Sequence, residues 1–164
     1  FRAAMTGHQV FTTLHTNSAL GAFPRLLDIG ILPDIMAGNI IGVIAQRLVR
    51  LLCPHCRQAY TPGPEEKLLL GLAPGADTQI HAAKGCSQCN HRGYKGRMAL
   101  IELLHMDADL DELIARRATA RELSKVALEK GFRTLAEDGV QRILEGLTSV
   151  AEVSRVVDLT GRLH

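Results

Sequence analysis

Tryptophan is absent, tyrosine occurs 2 times and phenylalanine 4 times, so aromatics make up 4% of the 164 residues. A core must therefore be built from Leu, Ile, Val, Ala and Met. A hydrophobic content of 46% beside 22% charged residues supplies one and excludes a disordered segment. Charge of one sign is also lacking: 19 Lys and Arg against 17 Asp and Glu give a net +2. A nucleic-acid footprint needs a strong basic excess on one face, so no nucleic-acid partner is expected. Arg47, Arg50 and Arg57 leave room for a local basic patch. No apolar run reaches the roughly 18 to 20 residues that span a bilayer. The longest, Ile35 to Ala45, is about half of that and contains Asn39. A basic start, an apolar run and a small-residue cleavage site are all missing, so no signal peptide is read. The chain is expected to be soluble and cytoplasmic. It opens at Phe1 in what reads as the end of a helix (Phe1 to Met5), and is taken as a fragment lacking its N-terminal half.

Turn residues and periodicity divide the rest. Gln9 to Leu14 is short and rich in β-branched and apolar residues, and reads as a strand. Ala19 to Leu27 reads as a helix with Leu20, Phe23, Leu26 and Leu27 on one face, and Pro24 inside the stretch counts against its first turn. Pro33 suits the first turn of a helix running to about Ala45, and Gln46 to Leu52 a strand. Glu65 to Leu72 is expected to be helical, Gln79 to Ala83 and Met98 to Leu104 extended. Helices are predicted over Leu110 to Arg117, after the capping box Thr119-x-x-Glu122, over Leu135 to Leu144, and after the capping box Ser149-x-x-Glu152. No internal repeat is visible. The organisation reads as an α/β lobe over 1–52, a metal-clipped insertion over 53–97, and a strand with a small helical subdomain over 98–164.

The 4 cysteines form two Cys-x2-Cys pairs, Cys53/Cys56 and Cys86/Cys89, with 29 residues between the pairs. Thiolates are soft ligands, and four of them at tetrahedral geometry suit Zn2+. Two intervening residues let the backbone curl so that both sulfurs face one ion. Gly85 and Gly93 flank the second pair and permit a tight knuckle. Disulfides would need an oxidising compartment, for which no export signal speaks. Four thiolates fill a tetrahedral ion and leave no open position, so the zinc is read as structural, its binding supplying folding free energy to the insertion. His55 or His91 standing in for a cysteine is the alternative ligand set.

Thr6-Gly7-His8-Gln9-Val10-Phe11-Thr12-Thr13-Leu14-His15-Thr16-Asn17 ends the expected strand with hydroxyls and an imidazole at its C-terminal tip. In open α/β sheets ligands sit beyond the C-terminal ends of strands, where a His or Thr can meet a phosphate oxygen. The plain alternative is a strand end that caps the next helix.

This segment closely resembles the His box of the secretion ATPases that power type II secretion and type IV pilus assembly. The resemblance continues through Gly21-Ala-x-x-Arg25-Leu-x-Asp28-x-Gly30-Ile31 and Ala45-Gln46-Arg47-Leu-Val-Arg50-Leu-Leu-Cys53-x-x-Cys56. It resumes at Gly85-Cys86-x-x-Cys89-x-x-x-Gly93-Tyr-x-Gly96-Arg97 and ends in Ile101-Glu102-Leu103-Leu104. It implies a partial RecA-like P-loop ATPase lobe working as a hexameric ring, with ATP and Mg2+ as the whole protein's ligands. It also implies a cytoplasmic location peripheral to the inner membrane and an inner-membrane platform protein as partner. By resemblance His8 and His15 are the His-box histidines that sense or couple the γ-phosphate, with Thr12 and Thr13 between them. Arg25, Gln46, Arg47 and Arg50 match further family positions near nucleotide or a neighbouring subunit; a solvated strand edge or an internal salt bridge is the plain alternative for the arginines. The phosphate-cradling G-x-x-x-x-G-K-[S/T] loop is absent, as are the acidic Walker B and Asp-box segments, so these residues alone are expected not to hydrolyse ATP. The competing reading is a zinc-ribbon adaptor for nucleic acid or protein with no ATPase role, built on His55, Arg57, His91, Arg92, Lys95 and Arg97 around the cysteines.

Overall fold

A computed structural model describes residues 1–163. It is a mixed α/β chain whose elements are α1 (Arg2–Met5), α2 (Ala22–Asp28), α3 (Pro33–Met36), β1 (Gly42–Leu52), β2 (Gln58–Tyr60), α4 (Pro64–Leu70), β3 (Ile80–Ala82), β4 (Tyr94–His105), α5 (Ala108–Ala115), α6 (Ala120–Glu129), α7 (Leu135–Leu144) and α8 (Val150–Val156). Short 3₁₀ turns cover Ser87–Cys89 and Thr160–Leu163. The sheets are two-stranded: β1 pairs with β4, and β2 pairs antiparallel with β3, setting Gln58 opposite Ala82 and Tyr60 opposite Ile80. Among the described residues no helix is long and apolar enough to cross a membrane.

The chain forms two compact units, Phe1–Ala45 with Glu102–Thr134, and Gln46–Ile101 with Leu135–His164. In the first, α3 and α6 pack on α5, burying Phe23, Leu26, Met36, Leu104, Leu110, Ile114 and Leu123. In the second, α7 packs on α8 and on β3, around Val49, Leu52, Ile80, Leu100, Ile143 and Val153. Both cores are almost purely aliphatic, as the scarcity of aromatics requires.

Three expectations change. Gln9 to Leu14 is not a strand: residues 8–16 carry no regular structure, and Phe11 is 84% exposed. A strand is defined by a hydrogen-bonded neighbour, and β propensity alone does not hold one. The helix from Pro33 stops at Met36, and Gly38, at φ +74°, takes the left-handed conformation that turns the chain. The β-branched residues Val43 and Ile44 then belong to β1, which begins at Gly42. Helix α2 starts at Ala22, later than expected, and this puts Pro24 in the first turn, where its missing N–H has no partner to lose.

Candidate functional site

The cysteine pairs come together in the second unit. Each of the four sulfurs lies within 4.8 Å of the others. Cys53 to Cys86 is 3.9 Å, while Cys56 to Cys89 and Cys86 to Cys89 are both 3.8 Å. A tetrahedron of sulfurs at ~2.3 Å from zinc has edges of about 3.8 Å. The three sulfur–sulfur distances match those edges, and the donor set could hold one metal ion. His55 and His91 are exposed and stand outside the cluster.

Local backbone geometry explains why the pairs fit. In the first knuckle the Cys53 carbonyl accepts from the Cys56 amide (3.3 Å) and the Arg57 amide (3.0 Å). In the second, the Cys86 carbonyl accepts from the Cys89 amide (3.2 Å) and the His91 amide (2.8 Å), with Asn90 and His91 both at positive φ. Gly85 sits at φ +112°, and a Cβ there would fall 2.7 Å from the His91 carbonyl oxygen. At Gly93, φ +77°, a Cβ would fall 2.6 Å from that of Ala83. Both positions thus require glycine.

Backbone amides also aim at the sulfurs. Gly85 donates to Cys56 Sγ (3.3 Å), while Cys86 (3.3 Å) and Gly93 (3.2 Å) donate to Cys89 Sγ. Burial pushes the Cys56 thiol up to about 11. Burial acts on Cys89 in the same direction, but its two amide donors prevail and bring it down to about 6. The amide donors thus favour the thiolate at Cys89, whereas burial disfavours it at Cys56.

The turn between α7 and α8 is tied to this centre. Arg57 Nη1 donates to the Gly146 carbonyl (2.6 Å), the Leu52 amide to the Leu147 carbonyl (2.8 Å), and the Thr148 hydroxyl to the Arg50 carbonyl (2.9 Å). Tyr94, next to Gly93, shares a 2.7 Å hydrogen bond with Ser149. Ser149 caps α8 as the motif predicts, accepting from the Glu152 amide. The Glu152 side chain, though, is fully buried and turns to the arginines. It accepts from Arg50 Nε (3.0 Å), Arg50 Nη2 (2.7 Å), the Arg50 amide (3.0 Å) and Arg155 Nη2 (2.8 Å). Burial alone would raise its carboxyl, but these donors outweigh it and hold it down at about 2. The Arg50 guanidinium also lies 4.2 Å over the Tyr94 ring, a cation–π arrangement.

The histidine segment lies in the first unit. His8, Thr12, Thr13 and His15 are exposed, and His8 Nδ1 is 3.1 Å from the Thr6 hydroxyl. Arg25 is exposed on α2. Gln46, Arg47 and Arg50 lie along β1 in the second unit, and Arg50 makes the internal ion pair with Glu152. Two residues with strong local roles escaped the sequence reading. Glu152 was hidden inside an apparent capping box. Glu102, 4% exposed on β4, accepts from the Ala19 amide, and its signal was an acid in an otherwise apolar strand.

Comparison with known proteins places this arrangement in a family. The family described as "Type II/IV secretion system protein" matches residues 1–155. The chain is 43% identical over 155 residues to type II secretion system protein E of Pseudomonas aeruginosa, covering 94% of this chain and 31% of the relative. It is 42% identical over 159 residues to the type II secretion system ATPase E of Vibrio cholerae, covering 94% and 31%. Against the type IV pilus assembly ATPase TfpB of Acinetobacter baylyi it is 40% identical over 161 residues, covering 97% and 28%. The chain thus spans about three-tenths of the length of these curated relatives. With the matched span running through both cysteine knuckles and the histidine segment, the chain belongs to the type II/IV secretion system protein family.

Proposed function

We propose that these residues form the C-terminal part of a motor ATPase that powers type II protein secretion or type IV pilus assembly. The observation that carries the reading is the family match together with relatives named as ATPases of both machines. In this reading residues 1–52 complete a RecA-like lobe, 53–97 form a zinc-bearing insertion, and 98–164 form a strand and helical subdomain. His8 and His15 lie near the γ-phosphate of ATP, and Thr12, Thr13, Arg25, Gln46 and Arg47 contribute to the nucleotide site or a subunit boundary. Arg50, paired with Glu152 and lying over Tyr94, acts at the same boundary only through the part of its side chain left exposed. The ring is hexameric, Mg2+ accompanies ATP, and the motor works at the cytoplasmic face of the inner membrane against a platform protein.

The cysteine centre has a structural role in this reading. Cys53, Cys56, Cys86 and Cys89 hold Zn2+, which when bound cross-links the two knuckles with no open coordination position. The chain's own residues do the rest: backbone amides offset the thiolate charge, and Arg57, Tyr94 and Thr148 tie the knuckles to the α7–α8 turn.

The deciding experiment compares steady-state ATPase activity of the whole protein with that of residues 1–164 alone and with a His15→Ala variant of the whole protein. Turnover confined to the whole protein, and lowered by His15→Ala, is the expected result. Turnover by residues 1–164 above background refutes the division of labour. A His15→Ala variant as fast as wild type refutes the role of the histidine segment.

A further inference from the structure

The buried side chains of β4 follow its two-residue period through Leu100, Glu102 and Leu104, at 0%, 4% and 2% exposure. Glu102 therefore occupies a core-facing position that an aliphatic residue would fill at no electrostatic cost. A carboxyl in that position is tolerated only when hydrogen-bonded. Its Oε1 lies 2.5 Å from the amide nitrogen of Ala19, a residue 83 positions earlier and wholly buried.

Ala19 is the hub of the turn that follows the histidine segment. The Thr16 hydroxyl donates to the Ser18 carbonyl (3.1 Å), the Ser18 hydroxyl accepts from the Gly21 amide (3.1 Å), and the Ala19 carbonyl accepts from the Ala22 amide (3.1 Å). These bonds set the shape of the turn but come from within it. Glu102 reaches it from a strand and so fixes the turn to the body of its unit. His15 lies four residues from the anchored amide, at the end of a segment with no regular structure of its own.

We propose that Glu102 is a positioning residue for the histidine segment: its carboxyl anchors Ala19 and thereby sets where the backbone presents His15 and Asn17. This rests on the reading that His15 acts at the ATP site. A β4 side chain is suited to the task because a strand held by a ladder moves less than the loop it restrains.

The test uses three variants of the whole protein, His15→Ala, Glu102→Leu and Glu102→Gln, with kcat and KM for ATP measured separately. Amide hydrogen exchange is followed over residues 16–20 in the same whole-protein variants. Glu102→Leu fills the space but removes the acceptor. It is expected to lower kcat about tenfold with KM for ATP held within about twofold, and to speed exchange at residues 16–20. Glu102→Gln retains an acceptor and is expected to restore both. Should the Leu variant fail to fold, Glu102→Asp withdraws the acceptor by one methylene and is expected to show the same slowed kcat. Wild-type kcat in a folded Leu or Asp variant, with His15→Ala slow, overturns the positioning role and leaves the ATP-site reading standing. Wild-type kcat in His15→Ala overturns the ATP-site reading, and unchanged exchange in the Leu or Asp variant then overturns the anchoring as well.

Discussion

Replacing Glu152 by Gln tests whether the carboxylate beneath Arg50 holds the second unit together. The side chain is completely buried and accepts two bonds from the Arg50 guanidinium, one from the Arg50 amide and others from Arg155. Glutamine keeps the shape and one acceptor but abolishes the charge. Because Arg50 and Arg155 are about half exposed, they recover hydration when the partner is lost, and this limits the damage. The expected loss is about 2–3 kcal/mol at neutral pH, below the full cost of stranding a buried charge. The pH dependence carries a definite sign. The carboxyl is held down from an ordinary 4.5 to about 2 in the folded chain. Its contribution is therefore complete above about pH 4.5 and is lost as pH falls toward 2, about 3 kcal/mol at most across that window. Urea unfolding by far-UV circular dichroism at pH 7, 5 and 3 reads the gap between wild type and Glu152→Gln. Acid release of a metal by the cysteines affects both proteins equally and cancels in the difference. The gap should be widest at pH 7 and narrow at pH 3. Equal urea midpoints at pH 7, or a gap that widens in acid, would refute the reasoning.

Purified chain should carry about one Zn2+ with no thiols open to titration, as a closed tetrathiolate site requires; metal-free chain with four titratable thiols would remove the centre. Gly93→Ala should cost about 2–4 kcal/mol and weaken zinc retention against a chelator, because the new Cβ meets Ala83 at 2.6 Å on a backbone at φ +77°; a variant with wild-type retention contradicts the close packing. Thr119→Ala, which removes the hydroxyl that caps α6, should lower stability by about 1 kcal/mol in the same unfolding assay. A change in either direction well beyond that would mean the cap is not an isolated contribution.

The cysteine centre was legible because its chemistry is carried by ligand type and spacing, and both are written locally. The two glycines were legible for the same reason. The strand over residues 9–14 was misread because β propensity describes side chains, whereas a strand is completed by another stretch of backbone that propensity does not supply. The overlong helix from Pro33 failed where Gly38 turned the chain and two β-branched residues favoured pairing with β4. Glu152 shows a subtler limit. Ser149 and Glu152 have the spacing of a reciprocal cap, and half of it forms, yet the acid finds stronger donors in Arg50, a hundred residues away. Local capping is worth about 1 kcal/mol, whereas several charge-assisted bonds in a buried setting exceed it. The same comparison applies to Glu102, where no local motif competes. In both cases the acid occupies a position whose neighbours in the element's period are buried, Leu100 and Leu104 around one, Ser149 a helical turn before the other. An acid in the buried phase of a strand or helix must recruit a donor from elsewhere in the chain, and that obligation, read from periodicity alone, marks the long-range polar ties that motif spacing misses.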